Sequence, residues 1–325
     1  MDETQQTRHV AILAYPDVQA AAVHGLTDMF LTAKRLSRAA TGADTDQFAV
    51  THWSPSADGS DIVAVHASRE ARLPAPAAII VPPSLVPGAT DEPSETLTGW
   101  LRARHRDGAI VCSICAGAFL LAEAGLLDGR DATTHWALHD SFQTRFPTVR
   151  LDTDELIVDG GDVVTAGGIM AWVDLGLRLI GRFGGPALML DVARFFLVDP
   201  GGREQRFYSI FAPRLNHGDQ AILAVQHWLQ AEGDRPVTIT QMAARAGLGD
   251  RTFLRRFQKA TGLKPTAYVQ HLRVGRARDL LERSTLPFAD IAWRLGYEDA
   301  GAFRKVFQKI VGLGPADYRR RFAVS

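Results

Sequence analysis

The second half of this chain repeats itself, and that repeat restricts the fold more than any other feature. The stretch ITQMAARAGLGDRTFLRRFQKATGLKPTAY at 239–268 returns at 288–318 as FADIAWRLGYEDAGAFRKVFQKIVGLGPADY. Met242-Ala243 aligns with Ile291-Ala292 and Gly247 with Gly296 at an offset of 49. Phe257-Gln258-Lys259, Gly262, Pro265 and Tyr268 align with Phe307-Gln308-Lys309, Gly312, Pro315 and Tyr318 at an offset of 50, so one residue has entered the turn. Such a repeat encodes one supersecondary unit twice.

Each copy reads as helix, tight turn, helix. Ala243 and Ala292 are small enough for a second helix to pass close by. Gly247 and Gly296 stand where the first helix ends, in a left-handed conformation that glycine adopts at little cost. Asp250 or Thr252 is expected to cap the second helix of the first copy, and Asp299 that of the second. Phe253 and Phe257, like Phe303 and Phe307, lie four apart and mark a buried face. The remaining faces carry Arg251, Thr252, Arg255, Arg256 and Lys259 in one copy, and Arg304, Lys305 and Lys309 in the other. Short helices are expected at 219–231, 238–245, 250–260, 288–294, 300–310 and 315–321, with a long joining helix at 265–282.

Charge partitions with this pattern. The chain has 36 Lys plus Arg and 36 Asp plus Glu. Residues 1–217 hold 18 basic and 26 acidic side chains, net −8, and residues 218–325 hold 18 and 10, net +8. A polyanion is attracted to the second part alone. Two helix-turn-helix modules, each offering a basic helix to a major groove of double-stranded DNA, fit the repeat, the charge and the paired phenylalanines together. Arginine forks suit guanine edges or phosphates, and lysines favour phosphates.

From about 220 to 322 the sequence resembles the AraC/XylS-type DNA-binding domain, most closely in AWRLGYEDAGAFRKVFQKIVGLGPADYRRRF. The resemblance implies two helix-turn-helix units, at about 238–262 and 288–312, with 250–260 and 300–310 as recognition helices. One departure is informative. Asp299, Ala300 and Gly301 replace the small polar residues usual at the opening of the second recognition helix, which implies few base contacts there.

The first half has another rhythm. Apolar runs HVAILAY at 9–15, AAIIVPP at 77–83 and GAIVCSI at 108–114 alternate with helical patterns at 20–40, 92–107, 116–124, 136–145 and 169–181. Further strands are expected near 47–54, 62–65, 149–158 and 162–165. Unbroken apolar strands between helices call for a mostly parallel sheet covered on both faces, an α/β sandwich of flavodoxin-like type. The expected organisation is an α/β domain at 8–185, a helical connection and linker at 186–217, and an all-α domain at 218–325.

Cys115 follows the third of these strands and opens a helix, where backbone amides can stabilise a thiolate or an oxyanion. His135, twenty residues on, offers a base or an imidazolium partner. Cys112 lies within the strand and reads as a small buried hydrophobe. Gly167 and Gly168 permit close backbone approach to a pocket near Cys115, which Trp136 and Trp172 could line, while Asp174 is expected to face solvent or a partner.

The segment ICAGAFLLAEAGLLDGRDATTHW at 114–136, with the preceding sheet pattern, resembles the PfpI-like, glutamine-amidotransferase-like superfamily over roughly 8–185. The whole chain then resembles GlxA-type regulators of the AraC family. In that superfamily's enzymes a cysteine and a histidine act with an acidic residue; Cys115 and His135 match the first two. The acid's place falls at Ala22, where Ala20, Ala21 and Ala22 supply none and Asp17 and Asp28 have different spacing. His24 stands where a small residue is usual. The resemblance therefore implies vestigial catalytic residues and a ligand pocket drawn from Cys115, Ala116, His135, His24 and Gly168.

Three functions follow for test: a sequence-specific transcriptional regulator whose first domain senses a small-molecule effector or forms a homodimer; a cysteine-dependent amidase or hydratase with an accessory basic domain; and a regulator whose first domain is solely a dimerisation scaffold. Two cysteines exclude a disulfide scaffold and a four-thiolate zinc site, so no cofactor or metal is expected. The opening MDETQQTRHV lacks the pattern of a secretory signal and no apolar run is long enough for a membrane span, so a cytoplasmic location is expected.

Overall fold

The computed structural model describes residues 7–41, 47–69, 73–86, 94–201, 203–232 and 236–324. The opening residues 1–6 and the expected helix start at 92–93 lie outside them. Contacts divide the chain between Gln205 and Arg206. That boundary falls inside the stretch expected as a connection. Residues 1–205 carry a net charge of −10 and residues 206–325 of +10, so this division sharpens the charge asymmetry.

The amino-terminal unit runs β1 (Arg8–Leu13), α1 (Ala20–Thr41), β2 (Phe48–Pro55), β3 (Ile62–Ala67), β4 (Ala78–Val81), α2 (Glu95–Arg106), β5 (Ile110–Ile114) and α3 (Gly117–Glu123). It continues through β6 (Asp131–Ala132), α4 (His139–Arg145), β7 (Arg150–Leu151), β8 (Ile157–Asp159), β9 (Val163–Ala166), α5 (Trp172–Gly184) and α6 (Pro186–Phe196). Seven strands form one sheet in the order β3-β2-β1-β4-β5-β9-β8. The inner pairs are parallel, and only the edge strands β3 and β8 pair antiparallel. β6 and β7 make a separate two-stranded ladder.

Alternation along the buried strands divides the core into two layers, because successive side chains leave opposite faces. Val10, Ile12, Ile80, Cys112 and Ile114 pack beneath α1, α5 and α6. Ala11, Leu13, Ile79, Val81 and Val111 pack with Leu97, Leu101, Leu120 and Phe142 of α2, α3 and α4. The helix expected to begin the connection, α6, buries Leu188, Val192 and Ala193 in the first layer and so is part of this unit.

The carboxy-terminal unit is all α: α7 (Gln220–Glu232), α8 (Ile239–Arg245), α9 (Asp250–Thr261), α10 (Pro265–Arg283), α11 (Phe288–Arg294), α12 (Ala300–Val311) and α13 (Pro315–Phe322). A capping box starts α8: the Gln241 N–H donates to Thr238 Oγ1 and the Thr238 N–H donates to Gln241 Oε1. Gly247 and Gly296 follow α8 and α11 with φ of +65° and +77°. The repeat builds two cores. Met242, Ala243, Phe253, Phe257 and Tyr268 lie in one, and Ile291, Ala292, Phe303, Phe307 and Tyr318 in the other. α10 supplies both, through Tyr268 and Val269 at its start and Val274, Ala277 and Leu281 further on.

Candidate functional site

Packing decides which faces of α9 and α12 remain available. Phe253, Phe257, Phe303 and Phe307 are fully buried. That leaves Arg251, Thr252, Arg255 and Lys259 exposed on α9, and Arg304, Lys305 and Lys309 exposed on α12. The 19-residue α10 between the copies is about 28 Å long at 1.5 Å per residue, comparable with one turn of duplex.

Two sequence expectations change here. Arg256 is held by Asp219: its Nε and Nη2 reach the carboxylate at 2.9 and 2.7 Å, which lowers the Asp219 pKa and raises that of Arg256. This fork-to-carboxylate pair fixes the segment before α7 and removes Arg256 from the open basic set. The cap of α9 is Gly249, with no side-chain cap bond, while Asp250 accepts from Thr240 Oγ1 at 3.3 Å. Asp299 caps α12 as expected, accepting from the Gly301 N–H at 2.7 Å. The two helices therefore open differently, α9 with Arg251 and Thr252, α12 with Gly301 and Ala302.

Cys115 sits at the bend after β5 with φ of +54°, a left-handed conformation rare for a residue with a side chain. Its N–H donates to Ala166 O at 2.7 Å, and its carbonyl accepts from Thr134 Oγ1 at 2.7 Å and from the Ala118 N–H at 3.2 Å. The sharp strand-to-helix turn expected at Cys115 is thus present, held through Ala166, Thr134 and Ala118. The thiol is not activated. Cys115 is 4% exposed, and burial pushes its pKa up to about 11 against the opposing hydrogen bond from the Ala116 backbone.

His135 caps the short turn Trp136–Leu138, accepting at Nδ1 from the Ala137 N–H at 3.1 Å. Burial lowers its pKa. Among the described residues no hydrogen bond joins Cys115 to His135; their loops meet through Thr134 instead. Ala22, in the acid's place, is fully buried. His24 meets His52, with ring centroids 5.8 Å apart, and His52 in turn meets His66 at 4.5 Å. Burial, followed by these two imidazoles, lowers the His52 pKa to about 4. Cys112 is fully buried, as expected, and burial raises its pKa. No group of three or more His, Cys, Asp or Glu able to hold a metal occurs among the described residues.

The glycine pair before α5 is used in an unforeseen way. Gly168 has φ of +87°, but the space beside Gly167 is filled by the chain itself, since a Cβ there would collide with the Gln205 carboxamide. Asp174, expected at the surface, is a mostly buried carboxylate paired with Arg203. Trp172 packs against Gly25 of α1, and the Trp136 N–H bonds to Gln205. Gln205 carries no sequence signal: it lies 50 to 72 residues from its side-chain partners in a turn-rich stretch, and only Gly167 hints that something must fit there.

Known proteins resemble each unit separately and, over 68% to 70% of the chain, both together. A helix-turn-helix domain model matches residues 242–321 and a DJ-1/PfpI family model matches residues 27–182. The HTH-type transcriptional regulator CdhR of Pseudomonas aeruginosa is 31% identical over 232 residues, 70% of this chain and 65% of that protein. GlxA of Rhizobium meliloti, another HTH-type transcriptional regulator, is 30% identical over 225 residues, 68% of each chain. These matches are longer than either unit and so run through both. The chain belongs to the GlxA-like, AraC-type family of transcriptional regulators.

Members of this GlxA-like group set the scale of the comparison. The chain spans 60% to 68% of the length of the curated regulators named GbdR, CdhR and GlxA. The isonitrile hydratase of Pseudomonas putida is 37% identical over 102 residues, 31% of this chain and 42% of the enzyme, a match shorter than the amino-terminal unit. Similarity that spans both units is therefore to GlxA-like regulators, and similarity to an enzyme is local. Among the described residues no helix is long and apolar enough to cross a membrane.

Proposed function

We propose that this chain is a sequence-specific transcriptional regulator that grips double-stranded DNA with α9 and α12. The observation that carries the reading is the duplicated exposure of Arg251, Arg255 and Lys259, and of Arg304, Lys305 and Lys309, opposite fully buried phenylalanine pairs. α9 reads base edges with Arg251, Thr252 and Arg255, because these polar side chains open the helix and its amino-terminal residues enter the groove. α12, which opens on Gly301 and Ala302 with Asp299 committed to its cap, anchors the phosphate backbone through Arg304, Lys305 and Lys309. The Met1–Gln205 unit is the sensing domain and the Arg206–Ser325 unit the DNA-binding domain, and the protein works in the cytoplasm.

The amino-terminal unit serves as the small-molecule-sensing and homodimerising part, with the effector received beside Cys115, Ala116, His135 and Gly168. His24, whose ring meets that of His52 at 5.8 Å, completes that set. An amidase or hydratase activity is disfavoured by the buried thiol, its raised pKa and the alanine in the acid's place.

Selection from a random duplex pool by the full chain, followed by titration of the recovered sites at two salt concentrations, tests the reading. The expected result is a defined site whose binding weakens steeply with salt and exceeds nonspecific binding by on the order of 10³ or more. Equal affinity for every duplex would overturn it.

A further inference from the structure

The residue that fills the Gly167 space is also the last residue of its unit. Gln205 is 3% exposed. Its Nε2 lies 3.0 Å from Thr133 Oγ1, 2.9 Å from Thr134 O and 2.9 Å from Glu155 O, so two amide hydrogens are shared among three acceptors. Its Oε1 accepts from the Trp136 N–H at 3.1 Å, and its own N–H donates to Asp154 O at 3.0 Å. Just ahead of it, Arg203 is paired with Asp174 at the start of α5. The partners Thr133, Thr134 and Trp136 bracket His135, and Thr134 is the residue that bonds to the Cys115 carbonyl.

The next residues are held as firmly by the other unit. The carbonyl of Arg206 accepts from Arg278 Nη2 at 2.8 Å, and the carbonyl of Ser209 accepts from Arg278 Nη1. Phe207 is 5% exposed and lies, with Arg206, against the backbone at Gly312, at the end of α12. Arg278 is itself mostly buried and projects from α10, the helix that supplies both helix-turn-helix cores. Gln205 and Arg206 are consecutive, and consecutive Cα atoms are fixed about 3.8 Å apart across a trans peptide. A displacement of Gln205 beyond small torsional adjustment must therefore pull on Arg206.

We infer that Gln205 is a positioning residue that couples the Thr133–Trp136 loop, beside Cys115, to the Arg278 grip on α10. An effector that shifts this loop moves the carboxamide, and the peptide link passes the shift to Arg206–Ser209. This coupling rests on the regulator reading proposed above. A coupling free energy is reciprocal, so DNA bound at α9 and α12 must in turn alter the loop.

That reciprocity allows a test without knowledge of the effector. Hydrogen exchange is followed at the amides of residues 133–137 in the full chain, with and without a saturating duplex recovered by selection. In the wild type, duplex is expected to change exchange of the Trp136 amide by about fivefold or more. Gln205→Met keeps the bulk and removes the hydrogen bonds, and Arg278→Met releases the junction from the other side. Each is expected to abolish the duplex-induced change while still binding duplex.

A merely structural Gln205 would lower the melting temperature when replaced but leave the duplex-induced change intact, and that result would overturn the coupling. So would a wild-type chain that binds duplex with unaltered exchange at 133–137, a measurement that does not depend on any variant folding. A chain that binds no duplex overturns the regulator reading itself.

Discussion

The bend at Cys115 and the helices α9 and α12 are the two regions that stand out in the primary structure, and they have opposite fates in the folded chain. At the bend the cysteine is packed into the core, its thiol neutral, and the nearby glycine cradle is closed by Gln205. On α9 and α12 the phenylalanines, with Val311, are buried, and Arg251, Arg255, Lys259, Arg304, Lys305 and Lys309 stay in water. Desolvation disfavours a thiolate, whereas exposed cationic side chains can neutralise a polyanion's phosphates and release the counterions condensed on it. One region keeps the shape of a catalytic elbow without its electrostatics; the other keeps both the shape and the charge of a groove-reading surface.

The sharpest way to break this contrast is to remove charge from the open region. Arg255→Ala combined with Arg304→Ala should cost on the order of 10² to 10⁴ in affinity for a selected duplex, at about 1–3 kcal/mol per contact. Fluorescence anisotropy at fixed salt measures it, and a loss below a few-fold would mean these residues do not touch DNA. The closed region is probed through its thiol. Alkylation of Cys115 by iodoacetamide at pH 8 should run on the order of a hundredfold slower than for an unhindered thiol, and should accelerate as pH climbs toward 11. Rapid labelling of the native protein, read by mass spectrometry, would contradict the buried neutral thiol.

Protonation offers a smaller effect with a definite sign. His52 is 7% exposed and its pKa falls from 6.5 to about 4 in the fold, so below pH 6.5 the unfolded chain binds the extra proton first. Its contribution is complete above pH 6.5 and is lost as pH falls to about 4, by roughly 3 kcal/mol at most. His9 and His135 are lowered in the same unit, and only His271 in the other. Acid should therefore soften the amino-terminal unit first, as followed by urea unfolding at pH 7 and pH 5; simultaneous softening would remove the distinction. The smallest effect separates the two helix-turn-helix copies. Asp299→Ala should cost about 1 kcal/mol in thermal unfolding through the lost cap, and Asp250→Ala less, because Gly249 already occupies that cap position. Equal costs would mean that the two turns are equivalent after all.

Much of this was legible beforehand. The seven carboxy-terminal helices fall within a residue or two of their expected bounds, because each begins or ends at a Gly, Pro or capping residue and buries a face set by its own spacing. The inner strands of the sheet were equally plain, since only a doubly covered sheet accepts unbroken apolar runs. The two-residue strand β6 was not foreseen: a pair such as Asp131-Ala132 has no periodicity to detect. The expected connection at 186–217 divides instead, α6 packing into the amino-terminal core and Arg206–Ser209 held by Arg278.

Local patterns by themselves determined the elements, the duplication, the charge partition and the elbow cysteine, because each depends on residues close together in the chain. Tertiary packing alone decided that Arg256 belongs to Asp219, that Asp174 is paired internally, that Cys115 is too buried to ionise at neutral pH, and that Gln205 occupies the Gly167 cradle. Those outcomes depend on partners tens of residues apart and on how much water the fold leaves around them, and neither quantity is written in any short stretch of sequence.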